Sequence, residues 1–177
     1  QDKSKAIQLF QQASDLGNTD AMFNLGFCYD KGDGVPQVKS KAIQLYQQAA
    51  DLGNTDAMVN LGACFYKGVG VAQDKSKAIE LYQQAANLGN TGAMVNLGIC
   101  FEEGDGVTQD KRKAIQLFQQ AADLGNTNAM FSLATCYEKG DGVPQDKSKA
   151  IQLYQQAADL GNTLAFFKLA LCYDKGD

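Results

Sequence analysis

Apolar residues recur along this chain with the spacing of a helix. Ala6, Leu9, Phe10, Ala13 and Leu16 fall at i, i+3, i+4, i+7 and i+10, a stripe on one helical face rather than the alternation of a strand. Asp2 or Ser4 can cap the start of this helix by accepting bonds from its orphan backbone N–H groups. Gly17 offers the positive φ that ends it, and Asn18 and Thr19 immediately supply the next N-cap. Ala21, Met22, Leu25, Gly26 and Tyr29 then form a second stripe, broken by Gly32 and Gly34, with Val35 as an apolar pin in the return loop. Small Ala6, Ala13, Ala21 and Gly26 leave room for Leu9, Phe10 and Tyr29 to interdigitate between axes roughly 8–10 Å apart. The predicted unit is a helix-turn-helix.

That unit repeats. Residues 37–72 match residues 1–36 at 27 of 36 positions, and further copies occupy 73–108, 109–144 and 145–177. One helix pair cannot bury both of its apolar faces, and stacking copies solves this. No linker or charge block interrupts the array, so residues 1–177 are expected to form a single solenoid domain. The chain does not begin with Met, and we read it as a segment of a longer array.

The pattern A-x-x-x-L-G-x-x-Y-x-x-G-x-G-V is carried by Ala21, Leu25, Gly26, Tyr29, Gly32, Gly34 and Val35. It continues through Lys41, Ala42, Leu45, Tyr46, Ala49, Ala50, Gly53, Asn54 and Ala57. Recurring five times, it resembles the Sel-1-like repeat, a relative of the tetratricopeptide repeat with a longer loop. The resemblance implies an all-α fold, a right-handed α-α superhelix of five 36-residue helix-turn-helix repeats. It also implies an interaction scaffold with no fixed ligand. There are departures: Gly26 becomes Ala134 and Ala170 in the last two copies, and Val38 replaces the usual loop aspartate. Many members carry two cysteines per repeat that bridge its helices, and this chain carries one.

Composition narrows the chemistry. Hydrophobic residues are 45% and charged residues 20%, a globular balance. Acids outnumber bases, 20 to 16, and lysines recur evenly instead of clustering, so nucleic acid is not an expected partner. No apolar run approaches the roughly 18 residues of a membrane-spanning helix. No signal peptide is visible at the first residues, because no apolar region follows Lys5. There is no histidine, which removes the usual general base and the commonest metal ligand.

Cys28, Cys64, Cys100, Cys136 and Cys172 lie 36 apart. Equivalent positions in stacked repeats sit roughly 10 Å apart, too far for a disulfide or a shared zinc ion. They read as small core residues beside Tyr29 and its equivalents, and unpaired thiols favour a reducing, cytoplasmic setting. Asp30, Asp33, Glu102, Glu103, Asp105 and Asp141 recur near the loop after the second helix. Copy two puts Tyr66 and Val69 there instead, and the order of a calcium loop is absent, so a solvated acidic edge is expected. The Gly-Asp-Gly-Val segments follow a helix and lack a closing Lys-Ser pair, so they are turns rather than phosphate cradles. No catalytic set and no cofactor is expected.

Two kinds of surface remain. Gln8, Gln12, Gln44, Gln48, Gln84, Gln116, Gln120, Gln152 and Gln156 point away from the apolar stripe of the first helices. They form either a groove that hydrogen-bonds a partner's backbone or a solvated face tied rung to rung. Apolar anomalies make the second kind: Val38, Tyr66 and Val69 around the loops of copy two, and Leu164, Phe166, Phe167 and Leu171 on the last helix. Divergence among the copies concentrates at repeat positions 20, 23, 24, 27 and 30, of which 20, 24 and 27 share a helical face, either unconstrained or tuned for contact. A terminal repeat normally turns a polar face to water, and this one does not. Two functions follow: a non-catalytic protein–protein scaffold, or a structural protein whose copies stack end to end as filaments.

Overall fold

The computed structural model describes residues 2–175. These form ten α-helices of 13 residues each. They are α1 Lys3–Asp15, α2 Thr19–Lys31, α3 Lys39–Asp51, α4 Thr55–Lys67, α5 Lys75–Asn87, α6 Thr91–Glu103, α7 Lys111–Asp123, α8 Thr127–Lys139, α9 Lys147–Asp159 and α10 Thr163–Lys175. Among the described residues there is no strand. The helix-turn-helix reading of every copy therefore holds.

The caps explain the equal lengths. Asp2 accepts from the Lys5 N–H at 3.1 Å, and Asp74, Asp110 and Asp146 do the same one or more repeats on. Asp2, not Ser4, is the cap. At the other end, the Gly17 N–H donates to the Ser14 carbonyl and the Asn18 N–H to the Ala13 carbonyl. This is the Schellman pattern, and it needs the positive φ of Gly17, 87°. Asn18 then turns its side chain forward and accepts from the Ala21 N–H at 2.8 Å. One asparagine thus closes one helix and opens the next.

Leu16 departs from the predicted stripe. It is the C-cap of α1, already outside the helical turn, and is 89% exposed. Leu52, Leu88, Leu124 and Leu160 are exposed in the same way. The i+10 spacing places a residue on the core face only where the helix continues, and here it has ended.

The helices fall into two compact units, residues 1–90 and 91–177. In the first, α2 packs most extensively on α3 and α4 on α5; in the second, α6 packs on α7 and α8 on α9. The tighter pairing thus joins the second helix of one copy to the first helix of the next. Leu25, Leu61, Tyr46 and Tyr82 are buried in the first unit, and Leu97, Leu133, Phe118 and Tyr154 in the second. Each such ring contributes on the order of 1.5–3 kcal/mol by leaving water. In three of these four pairings, at Gly26, Gly62 and Gly98, a glycine lies under the ring, and the fourth has Ala134 at that position. A Cβ on Gly26 would lie 2.9 Å from the Tyr46 ring, and one on Gly98 would lie 2.5 Å from Phe118.

Candidate functional site

All nine singled-out glutamines are exposed: Gln8, Gln12, Gln44, Gln48 and Gln84 in the first unit, and Gln116, Gln120, Gln152 and Gln156 in the second. In the first unit, Gln44 and Gln48 line a cleft of about 620 Å³ with Gln11, Asp15, Lys41 and Asp51, floored by Met22 and Leu45. The neighbouring glutamines behave differently. Gln11 donates to Asp15 at 2.8 Å within its own helix, and Gln47, Gln83, Gln119 and Gln155 repeat that i,i+4 bond. These ties, to a carboxylate in four helices and to the Asn87 amide oxygen in α5, run along each helix rather than from rung to rung. The exposed set keeps its amides facing solvent.

Lysines at the fifth position of each copy carry a second regular feature. Lys41 sits 4.2 Å from the Tyr29 ring centroid and donates to its hydroxyl at 2.7 Å. Lys77 over Phe65, Lys113 over Phe101 and Lys149 over Tyr137 keep the same 4.2 Å. Charge and ring lock consecutive copies together, an interaction worth roughly 0.5–2 kcal/mol each. The even spread of lysine in the sequence is the only sign of it there.

The acidic edge is not simply solvated. Asp30 accepts from Lys39 at 2.8 Å and pairs with Lys31 at 2.9 Å. Burial pushes its carboxyl up, but these lysines outweigh burial and hold it below the usual carboxylate range. Glu138 accepts from the Tyr154 hydroxyl at 2.7 Å and from Lys168 at 3.2 Å, with the same net direction. The Val69 substitution accounts for part of this. Lys3 pairs with Asp33, and Lys111 with Asp141 at 2.6 Å. Val69 offers Lys39 no such carboxylate, and Lys39 turns to Asp30.

None of the five cysteines is in a disulfide. Cys64, Cys100 and Cys136 are buried, and Cys28 and Cys172 half-buried. Burial, with the carboxylate of Glu102 next to it, pushes the Cys136 thiol up to about 12. Burial and then Asp30 raise Cys64, and burial and then Asp33 raise Cys28. These thiols are held protonated, the opposite of an activated nucleophile. No group of His, Cys, Asp or Glu side chains among the described residues is placed to hold a metal ion. No helix there is long and apolar enough to cross a membrane.

The apolar anomalies separate. Val38 and Val69 are exposed, whereas Tyr66 is half-buried with Lys75 5.3 Å from its ring, so it is not an open patch. Leu164, Phe166 and Phe167 are exposed on α10, and Leu171 is half-buried. Sequence reasoning passed over Tyr173, which is 64% exposed beside them. The divergence at position 20 left open whether it is unconstrained or tuned for contact. In fact Asp20 and Asp56 accept from Asn54 and Asn90 of the following copies at 2.9 and 2.8 Å, so that position belongs to the junction.

Comparison with known proteins places these features in a family. The Sel1 repeat model matches residues 1–18, 19–54, 55–90, 91–126 and 127–162. Its frame starts at the second helix of each copy, the same frame that the tighter packing selects. A Sel1 repeat protein from Oxalobacter formigenes is 33% identical, with a TM-score of 0.94 over 99% of this chain and 71% of that one. A protective antigen of uropathogenic Escherichia coli with the same repeat fold is 32% identical, with a TM-score of 0.87 over 96% of this chain but only 36% of that one. Cysteine-rich protein B of Helicobacter pylori is 28% identical, with a TM-score of 0.59 over 73% of this chain and 92% of that one. No curated protein matches the chain. Proteins built of this repeat generally mediate protein–protein interaction and are generally not enzymes. Matched over most of its length and helix for helix, this chain belongs to the Sel1-repeat family.

Proposed function

We propose that the chain is a non-catalytic scaffold that holds an extended segment of another protein along the polar face of its first helices. The observation that carries this is the cleft between α1 and α3. It is polar at the rim, with Gln44, Gln48, Lys41, Asp15 and Asp51, and apolar at the floor, with Met22 and Leu45. An amide side chain both donates and accepts, so a row of them suits the alternating N–H and C=O groups of an extended backbone. Opposite charges at the rim suit a partner of mixed charge, which fits neither nucleic acid nor an anionic membrane. The five repeats act as one interaction domain, and cysteines outside any disulfide suit a reducing, cytoplasmic setting.

The test is selection of peptides from a displayed random library against the immobilised chain. Binders that lose at least tenfold affinity to the Gln44→Ala/Gln48→Ala variant, yet bind Phe167→Glu normally, support the groove. Binders indifferent to the glutamines, or an empty selection, sink it.

A second reading, end-to-end assembly of copies, is favoured by one observation. The last helix leaves Leu164, Phe166, Phe167 and Tyr173 exposed on one short element.

A further inference from the structure

The cleft between α1 and α3 is more negative than a count of its rim charges suggests. Asp15 and Asp51 line it and are the last residues of α1 and α3. Aligned peptide dipoles already make a helix C-terminus negative, and a basic side chain there normally offsets this. Neither helix has a basic residue in its last turn. Asp15 accepts from Gln11 and Asp51 from Gln47, each through one oxygen at 2.8 Å, and neither enters an ion pair among the described residues. Lys41, the cation at the rim, is engaged elsewhere: its ammonium lies on the Tyr29 ring and donates to the Tyr29 hydroxyl. The net charge of the chain, −4, adds to the same field.

A second and independent feature lies in this cleft. Ser14 lines it and is 7% exposed. A serine within a helix can return its hydroxyl to the carbonyl four residues back. The Ser14 hydroxyl makes no hydrogen bond among the described residues. No side-chain nitrogen or oxygen there is sealed from solvent without a partner, so this hydroxyl opens on the cleft. The other copies have Ala50, Ala86, Ala122 and Ala158 at this position and bury them as deeply. The burial therefore belongs to the repeat, whereas the hydroxyl belongs to this cleft. A polar group held so far from water, with no partner of its own, is stabilised when a ligand supplies one.

Resting on the groove proposed above, we infer that this cleft seats the basic side chain, lysine or arginine, of the bound segment. The aliphatic stem lies along Met22 and Leu45 at the floor. The charged end donates to Asp15, to Asp51 and to the Ser14 oxygen. Gln44 and Gln48 hold the backbone of the segment beside it. A cation in this place also offsets two helix ends that the chain leaves uncompensated. An acidic or phosphorylated residue would be repelled by the same groups.

The test follows binders selected from a displayed random peptide library against the immobilised chain. The variants are mild, because each introduces a residue that another copy carries. Ser14→Ala matches Ala50, and Asp15→Asn and Asp51→Asn match Asn87, whose amide oxygen still takes the Gln83 bond. Circular dichroism checks that all keep their helices. The binders are expected to share a lysine or arginine. Its replacement by norleucine, which keeps the stem and removes the charge, should weaken binding at least about tenfold. That loss should vanish in Asp15→Asn/Asp51→Asn, and Ser14→Ala should bind about threefold more weakly. Binders that need Gln44 and Gln48 but carry no basic residue, or whose norleucine loss persists in the double variant, overturn the basic anchor and leave the groove standing. Binders that need the aspartates and not the glutamines keep the anchor and remove the extended groove. An empty selection, or binders indifferent to both sets, removes the two together.

Discussion

At the scale of single residues, three substitutions isolate what holds a repeat together. Val38 precedes α3 with φ −138° and ψ 91°, nearly the angles of Asp74 before α5, yet it makes no side-chain cap bond. Val38→Asp should therefore restore the missing cap without strain and stabilise by about 1 kcal/mol. A shift of the urea midpoint to higher concentration checks this. Gly98 sits under the fully buried Phe118 ring, and Gly98→Ala should cost about 1–3 kcal/mol by overpacking, despite the better helix propensity of alanine. The reverse change, Ala134→Gly, should also cost about 1 kcal/mol, because that copy has adapted to the methyl. Cys136 should resist a thiol reagent at pH 8 until the chain is unfolded, because its thiol is buried and held protonated; rapid labelling of the native chain would contradict this.

At the scale of the element, the junction between one second helix and the next first helix is where charge enters. Asp30 and Glu138 both have carboxyls depressed in the folded chain by lysine or tyrosine donors. A depressed folded pKa contributes stability that is present above the unfolded value, about 3.9–4.3, and is lost as pH falls through the folded one. The melting temperature should therefore drop as pH falls below about 4, and the drop should shrink in Asp30→Asn/Glu138→Gln. An equal acid slope in the double variant would assign the loss to other carboxylates.

Much of these elements was legible in the sequence. The 3.6 period and the asparagine after glycine marked all ten helices, because helix ends are decided by local chemistry; the first helices' cap stayed open between Asp2 and Ser4, and α3 has Val38 there with no cap bond. Leu16 misled because period alone does not see where a helix stops. The bonds at position 20 and the lysine–ring locks went unread because they join residues 34 and 12 positions apart. Only the placement of one helix on the next reveals them. The exposed glutamines were legible as a face, since their helix is regular; what a face binds is written in no period.

At the scale of the whole molecule, stability in such an array is the sum of each repeat and its nearest neighbours. In the first unit α3 packs on both α2 and α4, and in the second α8 packs on both α7 and α9, whereas α1 packs chiefly on α2 and α10 on α9. Ala6 and Leu9 on α1, and Phe166 and Phe167 on α10, are exposed. Each unburied large side chain forgoes on the order of 1.5–3 kcal/mol, comparable with the opening energy of a terminal element. Hydrogen exchange of the dilute chain should consequently be fastest in α1 and α10 and slowest in helices flanked on both sides, such as α3, α4, α7 and α8. Protection that is uniform from end to end would mean that the chain opens as one unit and that the ends are not weak. Concentration then separates the causes. Fraying set only by the chain's own ends is independent of protein concentration. If α10 receives α1 of another copy, mass action should raise protection in those two helices alone as concentration increases. The pattern of protection would then identify which surfaces meet, without any substitution to disturb them.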